Sequence, residues 1–332
     1  AHVENLRLVP GGTANGSGNG LNNVLYAGAG NNLLDGAGGS DTVSYAYAPS
    51  GVSANLASGL VSGGSGADTL LNIENLTGSY SNDQLTGNGL ANILSGSGGA
   101  DTMSGGDGAD SYYVDHAGDL VIETNADLAS GGSDTVYSSL GSYTLTDHVE
   151  NLRLLASLAA NGTGNGLANL FYAGAGNNVL NGAGGADTVT YASATAAVSV
   201  SLAVAGAQAT GGSGSDTLIS IESLTGSPYD DTLSGNAGAN TLSGGAGADL
   251  LSGGDGSDTY YVEHVGDQVS ETNADLASGG SDLVVSSLAA YTLTNHVENL
   301  RLLASGPASG SGNGLANVLY AGAGDNLLDG AG

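Results

Sequence analysis

The chain has 332 residues, 60 of them Gly, with no Cys, no Trp and a single Phe. Three Arg and no Lys stand against 32 acidic residues, a net charge of −29. That balance excludes nucleic-acid binding, since nothing neutralises phosphates, and adsorption to anionic membranes, and it points to cations as partners.

Gly at this density without a G-X-Y period excludes collagen. The 40% of hydrophobic residues recur at fixed spacing, which a disordered chain does not show. Without Cys there are no disulfides and no thiolate metal sites. No apolar run approaches the ~20 residues of a membrane span, so no membrane insertion is expected. The start carries no basic-plus-apolar signal segment.

Read from its start, the chain repeats itself. Ala1–Gly38 recurs without gaps as Asp147–Gly184 and as Asn295–Gly332. The remainder of the first unit also recurs, with two extra residues between Tyr191 and Gly211. The expected organisation is therefore residues 1–146, 147–294 and a partial third unit, 295–332, in one continuous solenoid. Beginning at Ala1 and stopping inside a third copy, without an atypical capping repeat, predicts a slice of a longer array.

Inside each unit runs a period of nine. In the first, degenerate copies begin at Gly18, Ala27 and Gly36, and Gly63–Leu71 reads GGSGADTLL. A tandem run then begins at Gly78, Gly87, Gly96 and Gly105, ending in GGDGADSYY. The second unit has equivalents at Gly164, Ala173, Gly182 and Gly211 (GGSGSDTLI). A second tandem run begins at Gly226, Gly235, Gly244 (GGAGADLLS) and Gly253 (GGDGSDTYY).

The pattern is G-G-x-G-x-D-x-U-x, with U a large apolar residue. Gly at positions one, two and four allows a tight turn that other residues resist. Asp at position six adds a hard anionic oxygen, and calcium takes six to eight oxygens from carboxylates and carbonyls. A short strand follows, with U facing inward. Two nonapeptides make one coil, so Asp83 with Asp101, and Asp231 with Asp249, stack about 4.8 Å apart. Carboxylates that close repel without a cation.

These tandem nonapeptides resemble the RTX (repeats-in-toxin) family of secreted bacterial proteins. So do the linking segments SGGSDTVYSSLGSYTLTDHVENLRL and GADTLLNIENLTGS. The resemblance covers essentially the whole chain. It implies an all-β, right-handed parallel β-roll or β-solenoid, with several calcium ions in the Gly/Asp turns, folding on export and type I secretion. The expected ligands are Asp83, Asp101, Asp110, Asp231, Asp249 and Asp258, then Asp41, Asp68, Asp187 and Asp216. Asp107 and Asp255, at position three, either add charge or face solvent. Asn replaces Asp at Asn23, Asn32, Asn92, Asn169, Asn178, Asn240 and Asn317. Those turns either bind weakly or stack amides without metal.

Between the nonapeptides, Val52–Leu60, Asp119–Glu123, Ser133–Ser138, Tyr143–Leu145 and Val149–Leu154 read as strands. At ~18 residues and ~4.8 Å per coil the simplest solenoid is a rod of roughly 90 Å. The rival arrangement is separate rolls joined by β-sandwich spacers. Arg7, Arg153 and Arg301 each follow a Glu (Glu4, Glu150, Glu298) by three positions. They read as solvated surface pairs of small energetic value. The five His recur with the long period, as spacer elements rather than bases. No nucleophile, metalloprotease or P-loop motif occurs, so no enzyme is expected.

Calcium leaves one feature over. Alternation turns Val24, Tyr26, Leu170, Tyr172, Val318 and Tyr320 outward, and Leu33, Val179 and Leu327 extend the strip into the next repeat. A recurring apolar strip reads as an assembly interface. The expected function is a secreted, extracellular or cell-surface calcium-dependent structural protein: a filament, surface layer or adhesin that self-associates into a fibre or layer. The rival is an accessory RTX module of a secreted enzyme or toxin.

Overall fold

The computed structural model describes residues 2–9, 13–125, 129–155, 159–273 and 279–332. The chain is all-β: every regular element among the described residues is a short strand. Among the described residues no helix is long and apolar enough to cross a membrane. Two compact units divide it, Ala1–Leu155 and Ala156–Gly332.

In the first unit the chain crosses back and forth between two sheets. One carries, in spatial order, Asn5–Arg7, Val24–Tyr26, Thr42–Ser44, Asn75–Thr77, Ile93–Ser95, Ser111–Val114, Thr135–Ser138 and Asn151–Leu154, all parallel. The facing sheet carries Gly16–Ser17, Leu33–Asp35, Gln84–Thr86, Thr102–Ser104 and Leu120–Val121 among its strands. Only the middle residue of a three-residue strand can point inward. The core is therefore two files of single side chains. Leu25, Val43, Leu76, Leu94, Tyr112, Val136 and Leu152 form one, and Leu34, Leu85, Met103 and Val121 lie in the other, all buried. The second unit repeats this, with Phe171, Val189, Leu224, Leu242, Tyr260, Val284 and Leu300 facing Leu180, Leu233, Leu251 and Val269. Each unit is thus a parallel β-roll, and the thin core is filled without Trp and with a single Phe.

One element departs from the simple solenoid. Val52–Leu60 is not a single strand. Val52–Asn55 turns back through Asn55 and Gly59 into Leu60–Gly63, which runs antiparallel to it and to Asp68–Leu71. The turn is held by the Asn55 side chain accepting the Ser58 N–H at 2.8 Å, with Gly59 left-handed at φ 68°. In the second unit the equivalent strands are Ser199–Ser201 and Gln208–Gly211. The two extra residues of that unit enlarge the hairpin tip, where added length costs little.

The nine residues expected to form one outward strip do not. Val24 and Tyr26 lie on the first sheet, and Leu33 on the sheet facing it. Leu170 and Tyr172 are likewise separated from Val179, and Val318 and Tyr320 from Leu327. Successive nonapeptides alternate sheets, so an outward residue nine positions on emerges on the opposite face. The alternation within each strand does hold: Leu25 and Phe171 are buried between flanking residues that are half-buried.

Candidate metal centre

Position six of each nonapeptide ends the turn and starts the strand, and its side chain is buried whether Asp or Asn, save in the third unit, where Asn317 is half-buried. One carboxylate oxygen always has the same task. It accepts the backbone N–H of the equivalent residue one coil earlier: Asp83 N–H to Asp101 Oδ1 at 2.8 Å, Asn92 to Asp110 at 2.6 Å, Asp231 to Asp249 and Asn240 to Asp258 at 2.7 Å. Asp41, Asp68, Asp187 and Asp216 take Asn23, Asn32, Asn169 and Asn178 in the same way. The stacking expected from the 18-residue spacing is therefore a hydrogen-bonded ladder.

What becomes of the second oxygen depends on position two. In seven turns whose position two has an ordinary φ, its N–H turns in and caps the side chain; Asn32 and Asn178 are exceptions, each with Oδ1 buried and unpartnered. Ser79 N–H and Oγ cover both oxygens of Asp83, and Ser227 does so for Asp231. Asn23, Asn92, Asn169, Asn240 and Asn317 are capped by the N–H of Asn19, Asn88, Asn165, Asn236 and Asn313. Their amide groups also donate: Asn92 Nδ2 reaches the Glu74 carbonyl at 2.7 Å and Asn240 Nδ2 the Glu222 carbonyl at 3.1 Å. These turns are complete without an ion.

Where position two is left-handed, its N–H points away. Ala37, Ser97, Gly106, Ala183, Gly245 and Gly254 all have positive φ. In the turns they open, Oδ2 of Asp41, Asp101, Asp110, Asp187, Asp249 and Asp258 is buried with no hydrogen-bond partner. Asp68 Oδ2, beside the hairpin, is in the same condition, and Asp216 Oδ2 has only Thr210 Oγ1 at 3.4 Å. A buried acceptor without a donor is costly, and a charged one more so. Burial, above all, raises Asp101, Asp187, Asp249 and Asp258 to about 6, with neighbouring carboxylates adding to the effect. Hard oxygens that lack donors fit calcium.

Four further carboxylates that gather beyond the tandem runs are not marked by the nine-residue period. Asp134 and Asp282 continue the ladder beyond the tandem runs, accepting the N–H of Asp110 and Asp258 at 2.8 Å. Glu123 and Glu271 join them. Asp110, Glu123 and Asp134 bring one oxygen each within 4.8 Å of one another, as do Asp258, Glu271 and Asp282. Among the described residues, Glu123, Asp134, Glu271 and Asp282 also each leave an oxygen buried and unpartnered. The coil from Asp110 to Asp134 spans 24 residues instead of 18. That shift hid it from a search at the nonapeptide period.

Two other readings are corrected. Glu150 and Glu298 are not solvated surface groups. Both are buried, and they end the ladder by accepting the N–H of Asp134 and Asp282 at 2.8 and 2.9 Å. Arg7 instead lies 3.8 Å from the centre of the Tyr47 ring. Asp107 and Asp255 are exposed, and each accepts an Asn side-chain N–H, from Asn125 and Asn273, at 2.8 Å.

Residues 17–45, 77–112, 163–193, 225–260 and 311–332 match the family described as RTX calcium-binding nonapeptide repeat (4 copies). No curated protein matches the chain. The chain carries RTX calcium-binding repeats, and the six turns opened by a left-handed position two all lie inside matched segments.

Proposed function

We propose that this chain, a member of the RTX calcium-binding repeat family, is a secreted structural protein whose folding is driven by calcium outside the cell. The supporting observation is the set of buried carboxylate oxygens without a partner, repeated along both units. In a calcium-poor interior these charges oppose folding. In a calcium-rich exterior each ion replaces a missing donor, and binding free energy becomes folding free energy. Nothing in this requires catalysis. The near-identical long repeat suits a filament, surface layer or adhesin, in which copies add length, more than the tail of an enzyme.

In that role the outer faces of the two sheets mediate self-association. One presents Val318 and Tyr320, the other Leu327, all exposed. The test is electron microscopy in millimolar calcium and again after chelation. Fibres or sheets that dissolve on chelation support the reading. Rods that never associate remove the assembly, and a chain equally folded with and without calcium removes the reading itself.

A further inference from the structure

We propose that Asp110, Glu123 and Asp134, and their equivalents Asp258, Glu271 and Asp282, form a calcium site that completes the last nonapeptide turn of each tandem run with two carboxylates from outside the nonapeptides. Each is an all-carboxylate site that fastens the coil following a tandem run. The inference rests on the reading of calcium as the ligand of this chain.

Each carboxylate is fixed by one oxygen and free at the other. Asp110 Oδ1 accepts the Asn92 N–H at 2.6 Å, and Asp134 Oδ1 the Asp110 N–H at 2.8 Å. Glu123 Oε1 accepts the Tyr112 hydroxyl, which itself accepts the Gly105 N–H at 2.7 Å. The second oxygen of all three residues has no hydrogen-bond partner. Asp110 and Asp134 are 1% exposed and Glu123 7%. The same holds for Asp258, Glu271 and Asp282, at 1%, 7% and 1%.

Three buried anions held within 4.8 Å repel strongly unless a cation sits among them. The ligand set selects the cation. All donors are hard oxygens, with no nitrogen or sulfur, which favours calcium over zinc or copper. Magnesium keeps most of its water shell, which side chains this buried leave little room for.

The site also has a supporting structure that the turns lack. Tyr112 orients the Glu123 carboxylate. The His148 ring, on a left-handed residue (φ 66°), contacts the Glu123 carbonyl through Nδ1 at 3.1 Å. Tyr260 and His296 do the same for Glu271. Glu123, Asp134, Glu271 and Asp282 all lie outside the residues that match the repeat family. An ion here joins the last nonapeptide turn to the middle and end of the 24-residue coil that follows it.

The experiment counts calcium. Wild type and the E123Q/E271Q variant of the full chain are loaded with calcium chloride and desalted, and bound calcium per chain is measured by plasma mass spectrometry. Gln keeps an acceptor for the tyrosine hydroxyl and removes the charge. The variant is expected to bind two fewer ions, one per triad, with the turn sites retained. An unchanged count overturns the triad site and leaves the turns standing, whereas a wild type that binds no calcium overturns the underlying reading as well. Should the variant fail to fold, terbium emission sensitised by tyrosine decides the matter, since the chain has no Trp. Y112F/Y260F removes the two phenols that touch the triads. Emission is expected to fall, leaving a remainder from Tyr45 and Tyr191 beside Asp68 and Asp216. Undiminished emission overturns the proposal.

Discussion

Protons should replace calcium. Eleven carboxylates among the described residues leave an oxygen buried and unpartnered: Asp41, Asp68, Asp101, Asp110, Glu123, Asp134, Asp187, Asp249, Asp258, Glu271 and Asp282. An unsatisfied buried group costs about 1–3 kcal/mol, and more when charged. A folded protein exceeds its unfolded state by only about 5–15 kcal/mol. Eleven ionised orphans therefore outweigh the margin, and the chelated chain should be unfolded at pH 8. Protonation removes the charge. Burial lifts Asp110 to about 7, Asp134 to about 8, and Glu271 and Asp282 to about 7, with nearby carboxylates adding to the shift in each. In the unfolded chain such groups titrate near 4.

A carboxyl whose pKa rises on folding binds its proton more tightly in the folded state. Its contribution is fully present below the unfolded value and lost as pH climbs through the folded one. The chelated chain should thus recover β-structure at pH 5, above its isoelectric point of about 4.1, and lose it reversibly between about pH 6 and 8. With calcium present the fold should persist to pH 8. Circular dichroism with chelator across this range measures it. A chelated chain as folded at pH 8 as at pH 5, or unfolded at both, would refute the argument that orphaned charge is what calcium removes.

Asp101→Asn and Asp83→Asn should differ although they sit one coil apart. The first removes a free oxygen and should cost a calcium ion by calorimetric stoichiometry. The second alters a carboxylate already capped by Ser79 and should leave the count unchanged. Gly105→Ala should abolish calcium-dependent folding of the first unit near that turn, because a Cβ would collide with Asp110 Oδ2 and the Tyr112 hydroxyl. Local hydrogen exchange reads this, and unchanged protection would count against the geometry. Ser97→Gly should stabilise the calcium-loaded form by up to about 1 kcal/mol in a urea melt. It relieves a left-handed residue at φ 63°, partly offset by the freedom glycine adds to the unfolded chain. A loss of stability would mean that Ser97 is not strained.

The period of nine was enough to place the turns, the inward file of U residues and the carboxylate stack, because each depends on residues fixed at that spacing. It did not distinguish Asp83 from Asp101. Both end the same motif, and the difference lies in the φ of Ser79 and Ser97, the same residue type in two conformations. It also misplaced Leu33 relative to Tyr26. Alternation along a strand was applied, but the alternation of whole nonapeptides between sheets was not. Glu123 escaped because its partners are set by a 24-residue coil, outside any nonapeptide. Glu150 was legible as a recurring acid, but its neighbour Arg153 in sequence suggested a surface pair, whereas the ladder claims its carboxylate.

The ladder has a direction. Every rung runs from a backbone N–H to a side chain one coil nearer the C-terminus. A stack cut at any coil therefore exposes bare donors on one face and bare acceptors on the other, like the two halves of a press-stud. The N-terminal part of such a cut presents the donor face and the C-terminal part the acceptor face, so a coil can be added to either end only in one orientation.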